Sequence, residues 1–241
     1  MARHVLATVD STNAEAVRLA PRLTGPAWVL AGVQTAGRGR RARPWASPLG
    51  NFHATLIFHP EGPAETVALH SFAAALALRD ACVALTGLPD AFTLKWPNDV
   101  LLNGGKLAGL LLESASHGAG ISHLAIGIGV NLIAAPDPAL LDPDALRPVT
   151  LLAETGLRTV PETLLDHLAP AFAARAAQLT HGFAQTRADW LAHAARLGEP
   201  IRARTAQHTY HGIFETIDHI GALILHTDQG PLAIPAAEVF F

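Results

Sequence analysis

A short arginine-rich segment is the part of the sequence best suited to binding an anion. Within residues 37–45, four arginines fall in six positions: Arg38, Arg40, Arg41 and Arg43. Like charges this close repel one another and the glycines leave the backbone unrestrained, so we expect the loop to be disordered until an anion neutralises it. Guanidinium groups beside glycine amides suit phosphate oxygens. A solvated basic loop or a nucleic-acid patch is the alternative, but the chain as a whole has a net charge of −3.

The only two lysines of the chain lie in neighbouring motifs. One is Lys95, which opens the run Lys-Trp-Pro-Asn-Asp at residues 95–99, and the other is Lys106, which follows an Asn-Gly-Gly turn. A lysine entering an apolar strand from such a turn can direct its ammonium towards a phosphate or carboxylate inside the domain, or it can be a strand-end lysine that reaches water. The segment is not a Walker A loop, because Val100 and Leu107 occupy positions that require Gly and Ser or Thr.

Small polar residues mark two further candidate sites. The run Asp-Ser-Thr-Asn at residues 10–13 stands at a predicted strand-to-helix junction, where it can cap the helix or bind a neutral polar ligand. Residues 126–131 (Ile-Gly-Ile-Gly-Val-Asn) contain two glycines of a dinucleotide-binding fingerprint but lack the third glycine and the following helix. They are therefore a poor Rossmann signal, although Asn131 remains a polar residue at the end of an apolar strand.

Composition argues against several other classes of protein. Thirteen histidines are scattered without the spacing of a metal site, and the sequence has no Gly-x-Ser-x-Gly motif. The single cysteine, Cys82, lies in an apolar run and is expected to be a buried core residue. The small net charge favours binding neither to nucleic acid nor to a membrane surface. With no apolar leader and no uninterrupted apolar run near ~20 residues, we expect a cytoplasmic protein.

Periodicity and turn residues predict an α+β chain. Strands are expected over residues 4–9, 27–33, 52–58, 92–95, 106–114 and 122–131, and helices over residues 12–20, from Pro63 to Gly87, and over 160–180 and 184–196. After Pro200, four short alternating segments (201–205, 212–217, 222–226 and 231–234) predict a small β-barrel or meander. At about 45 residues this tail is too small for a core of its own and should dock on the main domain.

Taken in order, six segments resemble the successive motifs of the biotin protein ligase family: residues 10–13, 34–45, 50–51, 95–99, 105–109 and 127–132. The resemblance implies a catalytic domain over residues 1–197 with a mixed sheet and helices, related to class II aminoacyl-tRNA synthetases, and an SH3-like β-barrel over residues 198–241. It also implies a ligase that makes biotinyl-5'-adenylate from biotin and Mg-ATP. A lysine of the biotin carboxyl carrier protein of acetyl-CoA carboxylase would then accept the biotinyl group.

The resemblance also assigns roles to individual residues. It implies that biotin is bound by Ser11, Thr12, Asn13, Gln34, Gly37, Arg38, Gly39, Arg40, Lys106 and Gly109. It implies that ATP or the adenylate is bound by Arg38, Arg40, Arg43, Trp45, Lys95, Asn98, Lys106 and Asn131. Arg40 and Lys106 would be catalytic, and Asp99 is a further candidate for magnesium, although no tightly bound metal is expected.

Alternatives remain open at this stage. A lipoate- or octanoate-protein ligase on the same scaffold and a non-catalytic sensor of biotin or nucleotide share much of the pattern, although Gln34 and the full arginine loop favour biotin. Ala42, Ala237 and Pro148 depart from the family pattern, and Pro148 leaves the adenine contact undefined. Since the Ser-Thr-Asn motif begins at residue 11, we expect no N-terminal DNA-binding domain. We further expect a monomer or a weak homodimer.

Overall fold

The computed structural model describes residues 1–117, 120–137, 139 and 141–241, and of residues 116, 117 and 120 it describes the backbone only. Its larger part is built on seven strands: β1 (Ala2–Val9), β2 (Ala27–Gln34), β3 (Phe52–Phe58), β4 (Phe92–Lys95), β5 (Asp99–Leu102), β6 (Gly105–His117) and β7 (Gly120–Val130). They form one sheet in the order β1-β2-β3-β7-β6-β5-β4, with β1 parallel to β2 and all other neighbours antiparallel. This mixed sheet confirms the expected fold class.

In the described part of the chain, the helices that accompany the sheet are α1 (Thr12–Leu19), α2 (Ala64–Ala68), α3 (His70–Thr86), α4 (Leu151–Thr155), α5 (Pro161–Leu179) and α6 (Phe183–Ala192). The helix predicted from Pro63 divides at Leu69 and ends, as expected, at Gly87, whose φ of 71° suits glycine. Cys82 is buried in α3, and this burial raises the pKa of its thiol to about 12. The stretch Ala64–Thr86 is apolar and long enough to cross a membrane, but 67% of its most apolar window is buried inside the protein.

The C-terminal strands form a separate antiparallel sheet: β8 (Pro200–Arg204), β9 (Thr209–Ile217), β10 (Leu223–Thr227), β11 (Gly230–Ile234) and β12 (Glu238–Phe240). Their order is β11-β10-β9-β8-β12. The domain is consistent with the expected SH3-like fold, although within residues 200–241, all of them described, no pairing closes the sheet into a barrel. It docks on the larger domain as expected, since Trp96 Nε1 donates to Gly221 O at 3.0 Å.

Three differences from the predicted elements bear on the site. Strands β5 and β12 were not predicted: β5 places Asp99 opposite Gly109 of β6, and β12 carries Glu238. Helix α6 ends at Ala192 instead of Arg196, because the next residues run beside β4: Leu94 N donates to His193 O and Ala195 N to Leu94 O, both at 2.8 Å. The outer edge of β4 is thereby paired, whereas β1 has a sheet partner only in β2.

Candidate active site

A cavity of about 680 Å³ lies on the face of the large sheet, below the arginine-rich loop and against β12 of the C-terminal sheet. With the exception of Gly37, every residue predicted to bind biotin or ATP lines this cavity, and so does Asp99. The motifs come together because β5, β6 and β7 are in register: Asp99 pairs with Gly109, and Gly109 with Gly129. The sheet therefore presents a floor of small residues with polar groups around it.

Residues 37–45, which we call the arginine strap, are folded back on themselves. Trp45 N donates to Gly37 O at 2.9 Å, and Gly39 N donates to Arg43 O at 2.8 Å. Gly37 was predicted to close over the ligand, but it is buried inside the strap instead, where a Cβ atom would lie 2.7 Å from Ser47 Oγ and from Trp45 O. Its small size is required for the fold of the strap.

The turn of the strap uses the left-handed backbone region twice. Arg41 and Ala42 both have a φ of 56°. This conformation costs a residue with a Cβ atom roughly 1–2 kcal/mol relative to glycine. Ala42, at a position where the resemblance leads us to expect glycine, therefore stores a small backbone strain in the tip of the strap.

Several arginine side chains of the strap form ion pairs with carboxylates of the chain itself. Glu238 of β12 accepts hydrogen bonds from Arg41 at 3.3 Å and from Arg43 at 3.0 Å, and also from Arg204 at 3.1 Å. Burial raises the pKa of Glu238, but the hydrogen bonds from Arg43 and Arg204 outweigh this effect and hold the pKa below its ordinary value. Part of the neutralisation that we expected from a bound anion is thus supplied by the C-terminal domain. Whether the strap is disordered without ligand stays a prediction.

Two cations of the cavity are without such a partner. Arg40 donates to Ala237 O at 3.3 Å and lies 3.5 Å from Asn98 Oδ1, and Lys95 lies over the ring of Phe241, 5.4 Å from its centre. In the described part of the chain, no carboxylate forms an ion pair with either. Burial lowers the pKa of Arg40 and of Lys95, and Asp99 opposes both shifts. Cations held in this way favour the arrival of an anion.

Lys106 lines the same cavity as Arg40 and Lys95, and we call these three cations the cationic wall. Its Nζ lies 2.8 Å from Asp99 Oδ1 and 5.9 Å from the centre of the Trp45 ring. The indole of Trp45 rests on the sheet, since a Cβ atom at Gly129 would lie 2.4 Å from Trp45 Nε1 and one at Gly109 would lie 3.2 Å from Trp45 Cζ3. Glycines at these paired positions therefore make room for the indole, and the predicted role of Trp45 in sealing the strap stays a prediction.

The opposite end of the cavity is polar and uncharged. Thr12 N donates to Gln34 Oε1 at 2.8 Å, and Gln34 Nε2 donates to Ser47 Oγ at 2.9 Å. Ser11 caps α1, accepting from Ala14 N at 3.5 Å, so the capping interpretation is confirmed, and ligand binding by Ser11 stays a prediction. This end can distinguish neutral donors and acceptors on a ligand.

The remaining predicted residues also lie in the cavity wall. Asn98 donates through Nδ2 to Leu110 O, and Asn131 is 3% exposed, with its backbone N donating to Leu107 O at 3.0 Å. Sequence reasoning missed Glu238, although its run Ala-Glu-Val resembles a family pattern in the C-terminal domain. It also missed Asp142, which lines the cavity and accepts from Arg204 at 3.2 Å.

Comparisons with known proteins show the family to which the chain belongs. Residues 5–131 match the model of the biotin/lipoate A/B protein ligase family, and residues 197–241 match that of the biotin protein ligase C-terminal domain. The chain therefore belongs to the biotin protein ligase branch of the biotin/lipoate ligases. It is 58% identical to the biotin–[acetyl-CoA-carboxylase] ligase of Paracoccus denitrificans over 98% of its length and 99% of that protein.

More distant relatives extend the similarity. The chain is 33% identical to the bifunctional ligase/repressor BirA of Bacillus subtilis, with 88% of this chain covered but 65% of that protein. A solved biotin protein ligase from Aquifex aeolicus, in complex with biotin and ATP, has a TM-score of 0.81 at 23% identity and covers 99% of this chain and 98% of its own. At that identity the similarity establishes the fold alone.

Proposed function

We propose that this protein attaches biotin to a lysine of the biotin carboxyl carrier protein of acetyl-CoA carboxylase, through a biotinyl-5'-adenylate made from biotin and ATP. The observation that carries the proposal is the convergence of motifs from Ser11 to Asn131 on one cavity of about 680 Å³, neutral at one end and cationic at the other. The identity of 58% with a ligase of this activity, over 98% of the chain, supports it.

The two ends of the cavity suggest how the substrates lie. The neutral donors and acceptors of Ser11, Thr12 and Gln34 suit the ureido ring of biotin. Its carboxylate would then point towards Arg40 and Lys106, where the α-phosphate of ATP also has to bind. This arrangement brings the two anions to the same cations and orients a carboxylate oxygen towards phosphorus.

In the first step the carboxylate attacks the α-phosphorus and pyrophosphate leaves. Negative charge builds up on the phosphoryl oxygens in the transition state, and fixed cations at this place lower the barrier by about 3–4 kcal/mol each. Arg40 and Lys106 fill this role in the proposal because they reach the cavity from opposite sides, one from the strap and one from β6. Lys95 adds a third positive charge to the same wall.

In the second step the amine of the acceptor lysine attacks the acyl carbon of the mixed anhydride, and AMP leaves. The anhydride is already reactive, so the protein has to exclude water and position the amine and needs no nucleophile of its own. Trp45, seated on Gly109 and Gly129, together with the strap covers the place where the anhydride would form.

Magnesium enters this proposal as part of the substrate Mg-ATP. Within the described residues, no group of three or more His, Cys, Asp or Glu side chains could hold a metal ion. Asp99 is the carboxylate nearest to the cationic wall, but Lys106 already occupies it. Phosphate oxygens and water would therefore supply most ligands of the ion, as is usual for magnesium bound with nucleotides.

The experiment that tests the function is incubation of the protein with ATP, biotin and an isolated carrier domain, followed by intact-mass measurement of the carrier. A mass increase of one biotinyl group, absent without ATP and absent when the acceptor lysine is replaced by Arg, is the expected result. A shift with lipoic or octanoic acid in place of biotin would instead assign a lipoate-type ligase. Binding of biotin with no product would assign a sensor.

We propose that this protein acts in the cytoplasm, where it would have access to ATP and to the carrier protein. We also propose a monomer or weak homodimer, which sedimentation at several protein concentrations would resolve.

A further inference from the structure

We propose that Glu113 is a positioning residue of the biotin pocket, because it holds the side-chain amide of Asn13 in one orientation and so fixes the wall that Thr12 and Gln34 complete. The inference rests on the proposed function and concerns the same site. Glu113 lies on β6 but does not line the cavity. Its Oε2 accepts a hydrogen bond of 2.8 Å from Asn13 Nδ2, and its Oε1 accepts one of 3.3 Å from Arg38.

Both the nitrogen and the oxygen of the Asn13 side-chain amide form hydrogen bonds with other residues of the protein. Thr55 Oγ1 donates to Asn13 Oδ1 at 2.6 Å, while Asn13 Nδ2 donates to Glu113. An ionised carboxylate can only accept, so it requires the nitrogen of the amide on its side and leaves the oxygen for the hydroxyl of Thr55. Asn13 Nδ2 also donates to Leu111 O at 3.4 Å, a longer contact that requires the same orientation of the amide. Glu113 is thus the closer of two acceptors that fix which way the amide points, in a place where Asn13 is 4% exposed and Thr55 0%.

The sheet leaves little room for Asn13 to move. A Cβ atom at Gly127 of β7 would lie 2.3 Å from Asn13 Oδ1, so no other residue type could stand there without moving Asn13. A second feature, on a different strand, thus serves the same side chain. The resemblance assigned biotin binding to Asn13, which lines the cavity, and that role stays a prediction.

The fixed amide in turn supports the groups that face the ligand. Thr55 Oγ1 also lies 2.8 Å from Thr12 Oγ1, and Thr12 N donates to Gln34 Oε1 at 2.8 Å. The hydrogen-bonded chain from Glu113 therefore reaches Gln34 through buried side chains. A change at Glu113 should alter biotin affinity without removing any group that touches biotin.

The contact with Asn13 matters more than the contact with Arg38. The first is short and buried on the Asn13 side, and hydrogen bonds to a charged group in such surroundings are among the stronger ones. The second is longer, and the side chains of Arg38 and Glu113 are 45% and 37% exposed, so water screens most of that ion pair. Arg38 can therefore leave Glu113 for a substrate anion at little cost, whereas Asn13 stays bound.

The test compares Glu113→Ala and Glu113→Gln with a matched control, Glu154→Gln, by steady-state kinetics of adenylate formation. Glu154 likewise accepts from an asparagine and an arginine, Asn103 and Arg147, both at 2.9 Å, but outside the cavity. We expect Glu113→Ala to raise KM for biotin about 5–30-fold with kcat changed by less than about threefold. Glu113→Gln keeps an oxygen for Asn13 and should stay within about threefold of the wild type, as should Glu154→Gln.

An unchanged KM for biotin in Glu113→Ala would overturn the proposal, and so would equal impairment by Gln and Ala, which would assign the effect to the charge alone. Should Glu113→Ala fail to fold, Glu113→Asp, whose shorter side chain withdraws the carboxylate from Asn13, replaces it, and a biotin KM equal to the wild-type value would contradict the proposal. Adenylate formation by the unsubstituted enzyme is measured in parallel. Its absence would refute the proposed function, whereas a normal rate with unaffected variants would refute only the role of Glu113.

Discussion

Among single residues, the cations around the cavity fall into two groups, those that form an ion pair with a carboxylate and those that do not. Arg41 and Arg43 are bound to Glu238, whereas Arg40 and Lys95 form no ion pair among the described residues. Lys106 stands between these groups, held by Asp99 at 2.8 Å. An ion pair on one side of an ammonium fixes its position and leaves other directions open for a phosphate oxygen. Lys106 is therefore the preorganised charge of the site.

Lys106→Ala should consequently damage the chemical step more than binding. We expect pyrophosphate release at saturating biotin to fall about 10²–10³-fold, because a fixed charge is lost where the transition state becomes negative, while the Kd for biotin rises by about tenfold at most, because Arg40 still faces its carboxylate. Arg3→Ala, which removes an exposed cation paired with Asp166, is the control. Similar rates for Lys106→Ala and the wild type would remove Lys106 from the mechanism.

At the scale of secondary structure, the seat of the strap is a pair of glycines on neighbouring strands. Gly109 of β6 and Gly129 of β7 are register partners, and the Trp45 indole lies over both. A flat face without side chains at two paired positions is unusual for buried strands, which commonly carry β-branched residues. The pair therefore marks the place where another part of the chain approaches the backbone.

Gly129→Ala should lift the strap from the sheet. The added Cβ atom would lie 2.4 Å from the Trp45 ring, and an overpacked contact of this kind costs about 1–3 kcal/mol. We expect biotinyl-adenylate to escape or hydrolyse about tenfold faster, measured by quenching preformed complex into excess unlabelled biotin. Gly25→Ala is the control, since a Cβ atom there meets nothing within 4 Å. Retention of the adenylate at the wild-type rate would show that Trp45 is not the seal.

The bounds of strands and helices could be predicted from the sequence where local patterns determine them. Strand Phe92–Lys95 was predicted with the correct bounds because alternation and flanking turns determine it locally. Strand Phe52–Phe58 is buried along almost its whole length, but its seven residues form a run long enough to be recognised between turn residues. Strand Asp99–Leu102 was missed because its four residues are all buried and show no alternation, and Pro97 precedes it closely. The end of α6 was missed because pairing with β4, a tertiary contact, overrides the helical propensity of Ala194 and Ala195.

At the scale of the whole molecule, the site is completed by the C-terminal sheet. Residues of the strap were predicted from their types and spacing, but their partner Glu238 lies 195 positions after Arg43, and no local pattern links the two. Asp142 and Arg204 join the same network. Arginines of the strap and Arg204 of β8 thus share the carboxylate of Glu238 on β12. The position of the C-terminal domain should therefore affect how firmly the strap is held.

Glu238→Gln should weaken the attachment of the strap to the C-terminal sheet without unfolding either domain. A neutral amide has one accepting oxygen in place of two and cannot balance the charges of Arg41, Arg43 and Arg204, so we expect adenylate to be released about 3–10-fold faster. Glu215→Gln, which removes an exposed carboxylate paired with His226 on the same sheet, is the control. Equal release rates in Glu238→Gln and the wild type would mean that the strap is held by its seat on the glycines alone.

The charge state of Glu238 gives this connection a pH dependence whose direction can be derived. In the folded protein the pKa of Glu238 lies below its ordinary value of 4.5, so the stabilisation is fully present above that value and is lost as the pH falls through the folded-state pKa. The difference in adenylate retention between wild type and Glu238→Gln should therefore be constant near neutral pH and disappear in acid below 4.5. Retention is best measured in both proteins across this range, because other carboxylates that titrate there, such as Asp142, cancel in the comparison. A difference that persists in acid would show that the side chain holds the strap through its shape and not through its charge.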